Sequence, residues 1–205
     1  MKTNDERLEE LLGHLGNLTY IKTDSIPNID LYMDQVTTFM DEHLKNSKRY
    51  PDDKVLTKTM INNYAKNNLL PPPNKKKYSK EHILLLIFIY YFKNLLSFND
   101  IEQLFRPLTT EHFSGATAPS LEVIYDEVFS LEKEQMGRLR EDVQTKYDRA
   151  KETFSDIDPE SREYLQLFAF ICELSFDVYL KKQMIESLAD QLRSEEPGKK
   201  KKDTK

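Results

Sequence analysis

Apolar residues return every three or four positions along most of this chain, and the breaks in that rhythm mark out seven helical segments. The first runs from Thr3 to Leu15. There Leu8, Leu11, Leu12 and Leu15 share a face, and acidic residues crowd the first turn, where a helix favours negative charge. After the turn signal at Pro27, Met33, Val36, Met40 and Leu44 line one side of a helix from Ile29 to Leu44, with Asn28 or Asp30 placed to cap it. Residues 46–54 are polar and form a connection. Thr57 then caps a short helix reaching Asn67, whose Met60, Ile61 and Tyr64 face inward while Lys58, Thr59, Asn62, Asn63 and Lys66 line much of the other side.

Pro71, Pro72 and Pro73 force an extended exit from that helix, because each proline fixes φ and removes an amide donor, and Lys75, Lys76 and Lys77 follow at once. Ser79 caps the next segment. From His82 to Leu96 it is apolar almost all round, the pattern of a helix enclosed by its neighbours. Ser97 and Asp100 have capping-box spacing, Phe98, Ile101, Leu104 and Phe105 give the following short helix its packing face, and Pro107 ends it or forces a turn.

Past Thr109–Pro119 the character of the chain changes. A long pattern begins at Ser120 and runs to Phe154; a second follows Asp158–Pro159 and carries Tyr164, Leu165, Phe168, Ile171, Leu174, Val178, Ile185, Leu188 and Leu192. Their simplest arrangement is a helical hairpin turning near Ser155–Pro159, with Gly137 placed to permit a bend. The expected organisation is therefore all-α: an N-terminal extension (1–25), a helical domain (26–108), a linker (109–119), a hairpin (120–193) and a disordered charged tail (194–205).

Charge changes this picture locally. The 205 residues carry a net −5, yet residues 45–80 hold 10 basic and 2 acidic side chains, a local charge of +8. Such an island inside an acidic protein attracts a polyanion over a small, oriented contact. An ordinary solvated surface has the same composition, so charge alone leaves both readings open. The longest apolar run, Ile83 to Phe92, is about half of the roughly 20 residues that span a bilayer. A single cysteine, Cys172, and the lack of an apolar leader pattern point to a cytoplasmic protein with no membrane partner.

The run Thr57-Lys-Thr-Met-Ile-Asn-Asn-Tyr-Ala-Lys-Asn-Asn-Leu-Leu-Pro-Pro-Pro73, then Lys75-Lys-Lys-Tyr-Ser-Lys-Glu-His-Ile83 and Leu96-Ser-Phe-Asn-Asp-Ile-Glu-Gln-Leu104, resembles the winged helix-turn-helix core of MerR-type regulators, in particular an uncharacterised bacterial family of predicted MerR-like proteins. The resemblance covers about Ile26 to Phe105. It implies that the helix after Thr57 enters the major groove, that Tyr64 sits by the DNA backbone, that Leu69–Leu70 close the core and that Lys75, Lys76 and Lys77 form the wing tip. The segment between the prolines and Tyr78 is short, and the recognition segment has no arginine. MerR-type proteins generally pair through a helix after the DNA-binding domain, which implies a homodimer joined through residues 120–154.

The expected function is sequence-specific binding of double-stranded DNA by a transcriptional regulator. Lys58, Lys66, Lys75, Lys76 and Lys77 would hold phosphates, and Thr59, Asn62 and Asn63 would read base edges. The alternative is a protein-interaction module that retains a degenerate helix-turn-helix. An enzyme is not expected. The five glycines lie apart and form no phosphate-cradling loop, His14, His43, His82 and His112 lack zinc-motif spacing, and Glu173 with Asp177 has no accompanying nucleophile or metal triad. No cofactor or metal follows from these residues, and the sequence assigns no small-molecule effector.

Overall fold

A computed structural model describes residues 2–18 and 20–195, except for the side chains of residues 132–134 and 195. Among the described residues the structure is all-α apart from one short ribbon. Its elements are α1 (Asn4–Leu15), β1 (Leu31–Tyr32), α2 (Met33–His43), α3 (Lys58–Lys66), β2 (Lys77–Tyr78), α4 (Lys80–Phe92), α5 (Phe98–Pro107), α6 (Leu121–Lys151) and α7 (Pro159–Glu195). They form two compact units. One comprises Met1–Tyr20 with Glu127–Lys182; the other comprises Ile21–Asp126 with Gln183–Lys205.

In the unit that begins at Ile21, α4 is the centre. Every residue from His82 to Ile89 is buried, as the all-round apolar pattern requires. Val36 and Met40 of α2, Ile61 and Tyr64 of α3, and Ile101 and Phe105 of α5 complete the core. The Phe88 ring meets Phe105 and Tyr125 edge-on, at centroid separations of 6.2 and 5.4 Å.

Side-chain caps start the short helices where the sequence places them. Thr57 Oγ1 accepts the Met60 amide at 3.2 Å. Ser97 and Asp100 exchange reciprocal bonds, each 3.2 Å from amide to side-chain oxygen. At Ser79 the third residue of the box is His82, whose Nδ1 accepts the Ser79 amide at 3.0 Å. Each such cap typically contributes about 1 kcal/mol.

Two boundaries differ from the sequence reading. α2 begins at Met33 instead of Ile29, because Leu31 and Tyr32 pair antiparallel with Tyr78 and Lys77. Its first turn is capped by Gln35, whose Oε1 accepts the Tyr32 amide at 2.9 Å, in place of Asn28 or Asp30. α4 stops at Phe92 instead of Leu96, since Ser97 must adopt extended backbone (φ −70°, ψ 161°) to cap α5. α5 runs through Pro107 into a wide turn over Leu108–His112, where the Thr109 and Thr110 hydroxyls donate to the Arg106 carbonyl at 3.0 and 2.8 Å.

The domain boundary also moves. It falls within α6, not in the 109–119 linker, because the first turns of α6 belong to the α4 core. Tyr125 is fully buried and its hydroxyl donates to the Ile21 carbonyl at 2.6 Å, while Thr23 donates to Asp126 at 3.0 Å. The start of the unit thereby moves from residue 26 to Ile21.

The other unit packs α1 against α6 and α7. Residues 1–25 are thus not a separate extension: Leu8 shares a core with Val143, Tyr147, Ala150 and Phe170. Asp5 accepts from the Tyr147 hydroxyl at 2.7 Å and from Lys151 at 2.9 Å, and Asn4 Nδ2 donates to the Glu163 carbonyl at 2.8 Å. α6 continues through Gly137 without a break in its helix, and Asp158 caps α7 by accepting the Ser161 amide at 3.0 Å. α7 reaches Glu195, so residues 194 and 195, expected in the tail, are helical, and residues 196–205 lie outside the described residues.

Candidate nucleic-acid interface

α3 is two-faced. Ile61 and Tyr64 are buried, whereas Thr59, Asn62, Asn63 and Lys66 are exposed. Their spacing of i, i+3, i+4 and i+7 puts these four on one stripe. The hydroxyl of Thr59 and the amides of Asn62 and Asn63 make no side-chain hydrogen bond among the described residues. An amide offering both a donor and an acceptor to solvent is the group that pairs with a base edge.

The helix is stopped sharply at its far end. Asn68 adopts the left-handed conformation (φ 58°), its amide donates to the Ala65 carbonyl at 3.3 Å, and the Leu69 amide donates to the Tyr64 carbonyl at 2.9 Å. This reciprocal pair satisfies carbonyls that a helix end leaves open, and it turns Leu69 and Leu70 into the core.

The lysine turn is built on strained backbone. The Lys77 amide donates to the Asn74 carbonyl at 2.9 Å, and the two residues between them, Lys75 and Lys76, have φ of 48° and 65°. Two successive positive φ values define the type I′ turn, which favours Asn or Gly; lysine carries a Cβ that clashes there. Both lysines are exposed, and no carboxylate pairs with them or with Lys66 among the described residues.

α3 and this turn converge on the start of α2. Lys58 forms an ion pair with Asp34, and Lys77 Nζ lies 5.2 Å from the centre of the Tyr32 ring. Since Tyr32 and Asp34 are two residues apart, the first turn of α3 and the lysine-bearing strand flank one small patch. No acidic residue occurs between Asp53 and Glu81. Sequence alone does not single out Tyr32, which is exposed beside Lys77, because a helix beginning at Ile29 includes it.

The nine expected contact residues therefore separate. Thr59, Asn62, Asn63, Lys66, Lys75 and Lys76 are exposed and have no side-chain partner among the described residues; Lys58 is exposed but held by Asp34; Lys77 is half-buried against Tyr32. Tyr64 is a correction. It is 2% exposed, its ring meets Phe98 edge-on at 5.9 Å, and burial raises its hydroxyl above the ordinary tyrosine range. A side chain so enclosed packs the helix in place and does not reach a DNA backbone.

Half-buried Lys93 and buried His82 contact segments that adjoin α3 and the ribbon. Lys93 donates to the Val55 carbonyl at 3.0 Å, two residues before Thr57, and burial lowers its ammonium below the ordinary lysine range. The His82 ring meets Tyr78 of the ribbon edge-on at 5.4 Å and Phe113 at 4.8 Å. Among the described residues, no group of three or more His, Cys, Asp or Glu is arranged to hold a metal ion, and no helix is long and apolar enough to cross a membrane.

The fold and this patch define a helical domain with a basic, amide-bearing surface. The chain belongs to the family DUF1836, described as a domain of unknown function, whose model matches residues 21–129. That match begins where the α4-centred unit begins and includes the first turns of α6. No curated protein and no solved structure matches the chain.

Proposed function

We propose that the chain binds double-stranded DNA sequence-specifically, as a transcriptional regulator with a MerR-like winged helix-turn-helix. α3 enters the major groove and the Asn74–Lys77 turn acts as a short wing. The observation that carries this reading is the α3 stripe: Thr59, Asn62 and Asn63 present unengaged hydrogen-bonding groups, and acid-free sequence surrounds them. Lys66, Lys75 and Lys76 supply affinity for phosphates, which positions the helix without reading sequence. Lys58 joins them by exchanging Asp34 for a phosphate, because an exposed ion pair is worth only about 0–1 kcal/mol. A homodimer would align two α3 helices with two half-sites.

Selection from a pool of randomised duplexes at about 0.1 M salt tests this, since weaker salt would reward any basic surface. Enrichment of a short inverted repeat is the expected result. Retention of all sequences alike, or none, overturns the reading in favour of a helix-turn-helix used for protein contact.

A further inference from the structure

In the unit that contains α1, the segment of α7 from Tyr164 to Leu180 has its polarity inverted. A helix on a protein surface normally turns apolar residues inward and charges outward. Here the only charged residues are Glu173 and Asp177, and both turn toward α6: Glu173 pairs with Arg149 at 3.4 Å and Asp177 with Lys146 at 3.4 Å. Phe170 also points into the core. The outward side carries Tyr164, Phe168, Ile171, Phe176, Val178, Tyr179 and Leu180, each at least half exposed. Single exposed apolar residues need no explanation, but Tyr164, Phe168, Ile171, Val178 and Tyr179 fall on one charge-free stripe of the helix, with Phe176 and Leu180 on its flank, and such a stripe does.

From these observations we infer that the outward face of α7 pairs with the same face of a second copy of this chain, the two helices running antiparallel. Size is the first argument. The five on the stripe, each losing on the order of 100 Å², cover about 500 Å² per protomer, the scale of a small interface of under roughly 1,200 Å² in total. Spacing is the second. Tyr164, Phe168, Ile171, Ser175 and Val178 are separated by 4, 3, 4 and 3 residues, the heptad rhythm of a helix–helix seam. The small Ser175 leaves an apolar groove bounded by Ile171, Leu174, Val178 and Tyr179, a hole into which an opposing side chain inserts.

Charge fixes the partner and the direction. The segment is bounded at one end by Glu160 and Glu163, with Arg162 between them donating to the Ile157 carbonyl, and at the other by Lys182 and by Lys181, which also pairs with Asp177 at 2.8 Å. Two copies running antiparallel set acids against bases at both ends, whereas a parallel pair sets like against like. The residues assigned here lie on α7, not on the 120–154 helix that the MerR resemblance implies. This interface rests on the proposed function only in that two recognition helices require two chains; the argument from α7 needs no DNA.

Sedimentation of the full chain without DNA, at tens of micromolar, is the test, and it reads pairing independently of DNA binding. The expected mass is twice 24.2 kDa. The double variant Phe168→Glu, Val178→Glu should weaken pairing by about a hundredfold or more, because each dimer would bury unpaired carboxylates, while its helical circular dichroism is retained. Leu131→Glu, at an exposed site on α6, should leave the mass unchanged. A chain carrying Glu160→Lys and Glu163→Lys should pair poorly with itself and regain pairing when mixed with a chain carrying Lys181→Glu and Lys182→Glu. A wild-type monomer, a dimer indifferent to the α7 glutamates, or a dimer broken by Leu131→Glu would each overturn the proposal.

Discussion

The hydroxyl of Tyr125 donates to the main-chain carbonyl of Ile21 across 104 residues of sequence, at 2.6 Å and fully buried. This bond closes the α4-centred unit by tying its first residue to the beginning of α6. Removing the hydroxyl with Tyr125→Phe keeps the ring against Phe88 but leaves a buried carbonyl unpaired, a loss of about 1–3 kcal/mol. Urea unfolding should show that decrease. A fragment of residues 21–129 should fold cooperatively, and one of residues 26–108, which lacks both partners, should not.

The lysine turn places a stability cost and a proposed binding role on the same two residues. Lys75→Asn with Lys76→Gly installs the preferred type I′ residues and relieves left-handed strain, so stability should rise by about 1 kcal/mol. The same change removes two cations. If the turn contacts phosphates, DNA affinity should fall and the slope of log affinity against log salt should flatten by about 2. Opposite shifts in thermal midpoint and affinity are the expected signature; unchanged affinity would take the turn out of the interface.

Much of this arrangement was legible because it is local. Thr57, Ser79, and Ser97 with Asp100 announced three helix starts, and the all-round apolar run announced α4, since a cap or a face is encoded within one or two turns. The Leu31–Tyr32 strand was not legible. Its partners lie 45 and 47 residues away, beyond the reach of any local pattern. The role of α1 was hidden for the same reason, because the core that Leu8 joins comes from residues beyond 139. At Tyr64 two signals conflicted: periodicity turned it inward and the resemblance turned it to the DNA backbone. The structure follows periodicity, because Tyr64 and Ile61 share the buried side of a nine-residue helix.

His82 should make stability depend on pH. It is 5% exposed, and burial lowers its pKa below the ordinary histidine value; the carbonyls of Pro72 and Pro71 and the charges of Glu81 and Asp30 oppose that shift without cancelling it. Nε2 finds no hydrogen-bond partner among the described residues, and Nδ1 is occupied as an acceptor from Ser79, so a proton added there would break the cap of α4. The unfolded chain takes up a proton through the ordinary histidine range while the folded chain resists, so stability is full above that range and is lost as pH falls toward the depressed value. Denaturant midpoints at pH 7.5 and 5.5 should show the decrease. His82→Gln, whose amide oxygen can still accept from the Ser79 amide, should flatten it.

The stripe on α3 separates two kinds of contact, and substitution can tell them apart. Asn62→Ala and Asn63→Ala remove groups suited to base edges but no charge, so each should reduce the ratio of specific to random DNA affinity by about 1–3 kcal/mol while leaving affinity for random DNA and its salt slope nearly unchanged. Lys66→Ala should weaken both affinities together and lower the slope by about 1. Because Asn62, Asn63 and Lys66 are exposed, these changes should leave the unfolding midpoint within about 0.5 kcal/mol of the wild type. Titration of the selected duplex against a scrambled one at several salt concentrations reads all three quantities. Equal losses on both duplexes for the asparagine variants would remove α3 as the reading helix, even if the lysines still bound DNA.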